Sequence, residues 1–182
     1  MKSNRIFILL FSLVLIQACG NSFGDDDNHR FWKRQPGVEP VKNATYKAEC
    51  GSCHFAYQPG LLPEQSWQKI MSGLDDHFGD NAELDAKTKN EIQNYLVSNS
   101  ADKSSFRRSQ KIMRYLKNTP PPLRITELRY IKRRHHEIPK RLIAGNEKVG
   151  HLSHCDACHQ NIDAGSFSER QIKIPGYGRW DD

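Results

Sequence analysis

The sequence is short of apolar residues. Of its 182 residues 37% are hydrophobic, and the mean hydropathy is −0.74. A chain of this length makes one domain or two small ones. Two small domains would each bury too little surface to be comfortable alone. Side chains are a thin filling for such a core, and a large apolar cofactor would supply the rest. Long hydrophobic runs are missing too. The most apolar stretch, Ile6 to Ile16, holds 11 residues, against roughly 20 for a helix that crosses a bilayer. Cysteine is scarce: of five, four fall in two short clusters and the fifth is Cys19.

The first residues read as an export signal. Lys2 and Arg5 precede the apolar stretch, and Ile16-Gln17-Ala18-Cys19 follows it. An apolar residue, a small residue and then cysteine resembles the bacterial lipoprotein signal. Cleavage would leave residues 1–18 behind and a lipid on the sulfur of Cys19. Ordinary secretion is the plainer alternative, and both place the chain in the periplasm. The odd cysteine is then the one a lipid consumes. Residues 19–45, with Asp25-Asp26-Asp27 and no apolar periodicity, read as a tether.

Charge is distributed in blocks. Residues 46–102 hold 4 basic and 9 acidic side chains, residues 103–148 hold 14 and 3, and residues 149–182 hold 3 and 5. Nucleic acid is a poor partner for an exported chain. An acidic protein, an anionic membrane surface or an anionic cofactor edge suits the basic block better.

The clusters are Cys50-Gly-Ser-Cys53-His54 and Cys155-Asp-Ala-Cys158-His159. Cys-x-x-Cys-His is the attachment signature of c-type haem. The thiols add to the two vinyl groups, and the next imidazole becomes the proximal iron ligand. Two copies use every cysteine beyond Cys19. A four-cysteine zinc site usually has closer halves, and here 101 residues separate Cys53 from Cys155. A thiol redox pair needs neither the histidine nor a second copy.

Each iron has a sixth position. Residues Glu64 to Phe78 carry Trp67, Ile70, Met71, Leu74 and His77 at helical spacing, which predicts one amphipathic helix with His77 inward. Met71 competes with His77 from the adjoining part of that stripe. For the second iron, His135 follows Ile131 by four and Leu128 by seven, whereas His136 falls on a charged face about 100° away. His154 and His151 lie beside the second motif on its proximal side, and His29 falls in the tether. Other helices are expected over Tyr46–His54, from an Asp85 cap to Val97, over Lys111–Asn118, from a Thr126 cap to His136, and over Asn146–His159. The tail from Gln171 reads as irregular. The fold class is therefore mainly α, with a domain over 46–102, a linker over 103–123 and a second domain over 124–182.

Longer stretches resemble the dihaem cytochrome c family. They are Tyr46–His54, Tyr57-Gln-Pro-Gly-Leu-Leu-Pro63, Ser66-Trp67 and Leu74-Asp-Asp-His-Phe-Gly79. Arg124-Ile-Thr-Glu127, His135-His-Glu-Ile-Pro139, Cys155–His159, Gly165-Ser-Phe-Ser-Glu169 and Ile172-Lys-Ile-Pro175 continue the likeness. The resemblance implies an N-terminal domain of class I cytochrome type, a less regular C-terminal one, and one haem in each. It implies bis-histidine irons, which raises His77 over Met71 and supports His135. The iron ligands are then His54, His77, His135 and His159. It also implies electron transfer, with a small oxygen-binding monohaem cytochrome and a membrane b-type cytochrome as partners. Two imidazoles stabilise ferric iron more than a His/Met pair, so low potentials are expected. The alternative is a dihaem peroxidase or a small-ligand sensor, which needs one open iron; no further catalytic constellation stands out. The expected lipid anchor and the basic block depart from the family pattern.

Overall fold

The computed structural model describes residues 36–117 and 119–180. The export signal, Cys19, His29 and most of the expected tether lie outside them. Helix α1 spans Ala44–Cys50 and starts where the Asn43 side chain accepts the Tyr46 amide. It stops before the histidine of the first motif. The Ser52 hydroxyl donates to the Glu49 carbonyl (2.7 Å), which offers the chain a turn in place of the next helical bond. A short 3-10 turn, Pro59–Leu61, leads into α2, Glu64–Ser72.

The helix expected to reach Phe78 ends six residues early. Gly73 caps α2, a 3-10 turn covers Leu74–Asp76, and His77 lies in the loop beyond. Gly73 leaves helical geometry (φ −127°, ψ 42°), and beyond it Asp76 accepts the Gly79 amide (2.9 Å), a local bond that competes with the helix. Phe78 and Gly79 complete the loop with φ of 61° and 107°. Helix α3, Ala86–Ser98, begins as expected at Asp85, whose carboxylate accepts the Lys87 and Thr88 amides. It buries Ile92 and Leu96 against α2.

Helix α4, Arg107–Leu116, begins four residues before the helix expected from Lys111 and packs into the core where a linker was expected. Ile112 is fully buried, and Ser109 sits so close to Gly60 that a Cβ there would meet its hydroxyl at 2.6 Å. Helix α5 spans Arg129–Arg134 and is capped by Leu128, not Thr126, because Thr126 is held in a 3-10 turn over Ile125–Glu127. Helix α6 is only Cys155–Cys158. The longer helix expected from Asn146 is prevented by Gly150, at φ 71°. The tail is not wholly irregular: β1 (Lys173–Ile174) pairs antiparallel with β2 (Gly178–Arg179).

One core runs from Val38 through Trp67, Ile92 and Ile112 to Leu128 and Ile131. Residues 36–45 therefore belong to the fold and not to a tether. Val38 is fully buried. The Gly165 carbonyl accepts the amides of Gly37 (2.8 Å) and Val38 (3.3 Å), and the Arg108 amide donates to the Gly37 carbonyl. The buried Gln58 side chain donates to the Ile162 carbonyl (2.6 Å), a second tie between distant parts of the chain. Among the described residues, no helix is long and apolar enough to cross a membrane.

Gly165 takes a left-handed backbone (φ 69°), and a Cβ there would lie 2.1 Å from the Val38 carbonyl oxygen. Gly165→Ala should cost about 2 kcal/mol or more. Thermal unfolding followed by circular dichroism checks this, and an unchanged midpoint would mean that the 36–38 segment does not depend on this approach.

Candidate functional site

Two centres emerge, each with a motif histidine facing a histidine from a loop or helix end. In the first, α1 delivers Cys50 half-buried, and the turn after it leaves Cys53 exposed and His54 half-buried. His54 and His77 lie with ring centroids 6.1 Å apart and planes 22° from parallel. His54 Nδ1 donates to the Phe55 carbonyl (2.8 Å). That fixes the tautomer and leaves Nε2 with its lone pair. The backbone of His77 is pinned by its amide to the Asp80 carbonyl (2.7 Å). Burial, then His54 and Arg124, hold the His77 imidazole below its ordinary range, which favours the neutral form that a ligand needs. Its reach does not come from the helical stripe that suggested it, since the loop carries it. Met71, the competing residue, is 2% exposed in the hydrophobic core.

In the second centre, His135 and His159 have ring centroids 6.1 Å apart and planes at 75°. His135 is the C-cap of α5, and its Nδ1 donates to the Ile131 carbonyl (2.9 Å). His159 pairs with Ile172 as an isolated bridge. Burial pushes its imidazole down to about 4, helped by His135 and Arg108. Its Nδ1 is buried without a partner. An apolar cavity has His135, Cys155, Cys158 and His159 on its wall, with Leu61, Ile131, Phe167, Ile172 and Trp180 among its lining. His136 is exposed and turned to the Arg133 carbonyl. His151 and His154 also line the cavity, with His154 Nδ1 donating to the Val149 carbonyl.

These arrangements fit haem. An imidazole–metal bond is about 2 Å, so two imidazoles on opposite sides of one metal have centroids about 6 Å apart. Both pairs meet that spacing. Burial, then Asp156, pushes the Cys155 thiol up to about 12, and burial, then Glu49, pushes that of Cys50 up to about 11. Among the described residues, no group of three or more His, Cys, Asp and Glu is arranged to hold a metal ion, which leaves the four-cysteine zinc reading without a site.

Two residues that sequence reasoning passed over join the site. Tyr57 packs its ring 5.1 Å from that of His54, and its hydroxyl donates to the Ser153 carbonyl (2.8 Å), two residues before Cys155. It thus links the two centres. Arg108 is half-buried between Phe167 and Tyr130, with its guanidinium 4.6 and 5.6 Å from their ring centroids and its Nε unpartnered. A cation so placed on the cavity wall suits an anionic group such as a haem propionate. The basic block hid it among thirteen other cations, and only burial distinguishes it.

The profile of the dihaem cytochrome c family matches residues 46–167. Among solved structures, the chain is similar to a dihaem cytochrome type c from Shewanella baltica OS155, at 42% identity and a TM-score of 0.64, over 76% of this chain and 98% of that one. It is similar to a dihaem cytochrome c from Rhodobacter sphaeroides at 40% identity and a TM-score of 0.63, over 71% of this chain and 100% of that one. No curated protein matches.

Replacing Cys155 and Cys158 by alanine should give a chain with one covalent haem where the parent has two. Intact mass and the pyridine haemochrome absorbance per chain read this out. Two retained haems would mean that these thiols are not the attachment points.

Proposed function

The chain belongs to the dihaem cytochrome c family and carries two c-type haems with iron, and we propose that it is a periplasmic electron carrier whose irons are each closed by two histidines. The family suggests the coarse role, a haem-based carrier of electrons. The observation that carries the finer reading is the repeated 6.1 Å pairing of a motif histidine with a distant one.

On this reading Cys50 and Cys53 hold the first haem, and Cys155 and Cys158 the second. When bound, each haem supplies an iron that takes up and gives back one electron. His54 and His77 would ligate the iron of one centre, and His135 and His159 that of the other. Their Nδ1 bonds to backbone carbonyls, at His54 and His135, hold the rings in place. Fixed imidazoles mean little reorganisation when charge changes, which suits a carrier rather than a ligand-binding centre. Tyr57 gives the two centres a short bridge of ring contact and hydrogen bond. Paired imidazoles favour the ferric state, so both potentials fall on the low side of the cytochrome range.

Export, and a lipid on Cys19 that keeps the protein at a membrane, are supported by the N-terminal pattern. A membrane b-type cytochrome as donor and a small oxygen-binding monohaem cytochrome as acceptor are the partners that the family resemblance favours.

Carbon monoxide tests the closed irons. The visible spectrum of the reduced protein should not change on its addition, whereas His77→Ala and His135→Ala should each open one haem to the gas. A shift in the parent protein would give the function to a ligand-binding or peroxidase-type centre.

A further inference from the structure

Helices α4 and α5 together form a concave face lined by Lys111, Arg114, Lys117, Arg129, Arg133 and Arg134, with His136 at its edge. All but Lys111 are exposed. Among the described residues no carboxylate lies within ion-pair distance of Lys111, Arg114, Lys117, Arg129 or Arg133; Arg134 pairs with Glu169. Like charges this dense repel one another. Burial, then Arg107, Arg108, Arg134 and Arg114, holds the Lys111 ammonium below its ordinary range. An incoming anionic surface would relieve that repulsion.

The face is next to the second centre. Arg134 lies on the wall of both the cationic hollow and the cavity holding His135 and His159. It is followed in sequence by His135, the C-cap of α5. Tyr130 lines the hollow on one side and accepts a bond from Arg108, a residue of the haem cavity, on the other.

Building on the electron-carrier reading, we propose that this α4–α5 face is the docking surface for an acidic redox protein, and that electrons cross at the second haem. Charge complementarity selects the partner: a cluster of carboxylates on a small protein can enter the hollow and meet its cations. A membrane would meet the same charges, but a flat lipid surface gains nothing from a concave one beside a haem. Complementary charge acts mainly on the association rate and is lost in salt.

The test uses the two-haem protein and a strongly acidic plant-type [2Fe–2S] ferredoxin as reductant, mixed by stopped flow. Reduction by ferredoxin should slow at least about ten-fold between low and high salt. The triple variant Lys111→Glu, Arg114→Glu, Arg133→Glu should react at least about ten-fold more slowly at low salt and lose the salt dependence. The milder Gln triple variant should fall between them. Dithionite should reduce both haems of every variant, which shows that the carrier is intact. Equal rates and equal salt slopes in parent and variants would overturn the proposal. So would loss of binding to phosphatidylglycerol vesicles in the variants with no change toward ferredoxin, since the face would then serve lipid. Failure of dithionite to reduce the parent reversibly would remove the carrier reading itself, and the proposal with it.

Discussion

Two pairs of imidazoles face each other at 6.1 Å, and on the proposed reading, in which each pair holds one iron, the chain is built around that demand. One partner of each pair is tied to a cysteine motif. The other comes 23 residues later in the first centre and 24 residues earlier in the second. Neither distal histidine sits inside a helix. His77 is in a loop shaped by Asp76 and a left-handed Phe78, and His135 ends α5. A helix interior would fix the direction of a side chain by its period alone. A loop or a cap lets the backbone aim it, at the cost of needing neighbours to hold it there. Asp80, the Ile131 carbonyl and the Arg124 guanidinium stacked on Phe78 are such neighbours.

The same demand explains why the halves are not independent. Short helices and 3-10 turns bury little apolar surface, so stability has to come from sharing. Residues 36–45 thread from the Gly165 turn to the start of α1, and α4 packs on the Pro59–Leu61 turn and on α5. Tyr57 ties His54 to the loop before the second motif. Haem adds apolar surface that the composition alone does not provide. A mutation at one of these crossings therefore reaches both centres.

Much of this was legible in the residues. Cys-x-x-Cys-His states its chemistry outright, and Asp85 capped α3 as its position said. The histidines that face each other were also reachable, though partly for the wrong reason. The helical spacing that placed His77 inward does not exist past Ser72, and the longer family match supported it instead. Helix ends were read poorly wherever a polar side chain competed with the backbone, as Ser52 and Asp76 do. The burial of Val38 was invisible because two valines, Val38 and Val41, in a polar segment broken by Pro36 and Pro40 are too few to show a period. Tyr57 and Arg108 carry no local signal, since their roles depend on contacts with residues far along the chain.

The most direct test of the account is low-temperature electron paramagnetic resonance with near-infrared magnetic circular dichroism on the fully oxidised protein. The account predicts two low-spin ferric haems, both with the charge-transfer band of paired imidazoles, and no high-spin signal. A methionine-type band would give Met71 the place assigned to His77. A high-spin haem would mean that one iron lacks its second histidine, and the closed, paired centres on which this reading rests would not exist.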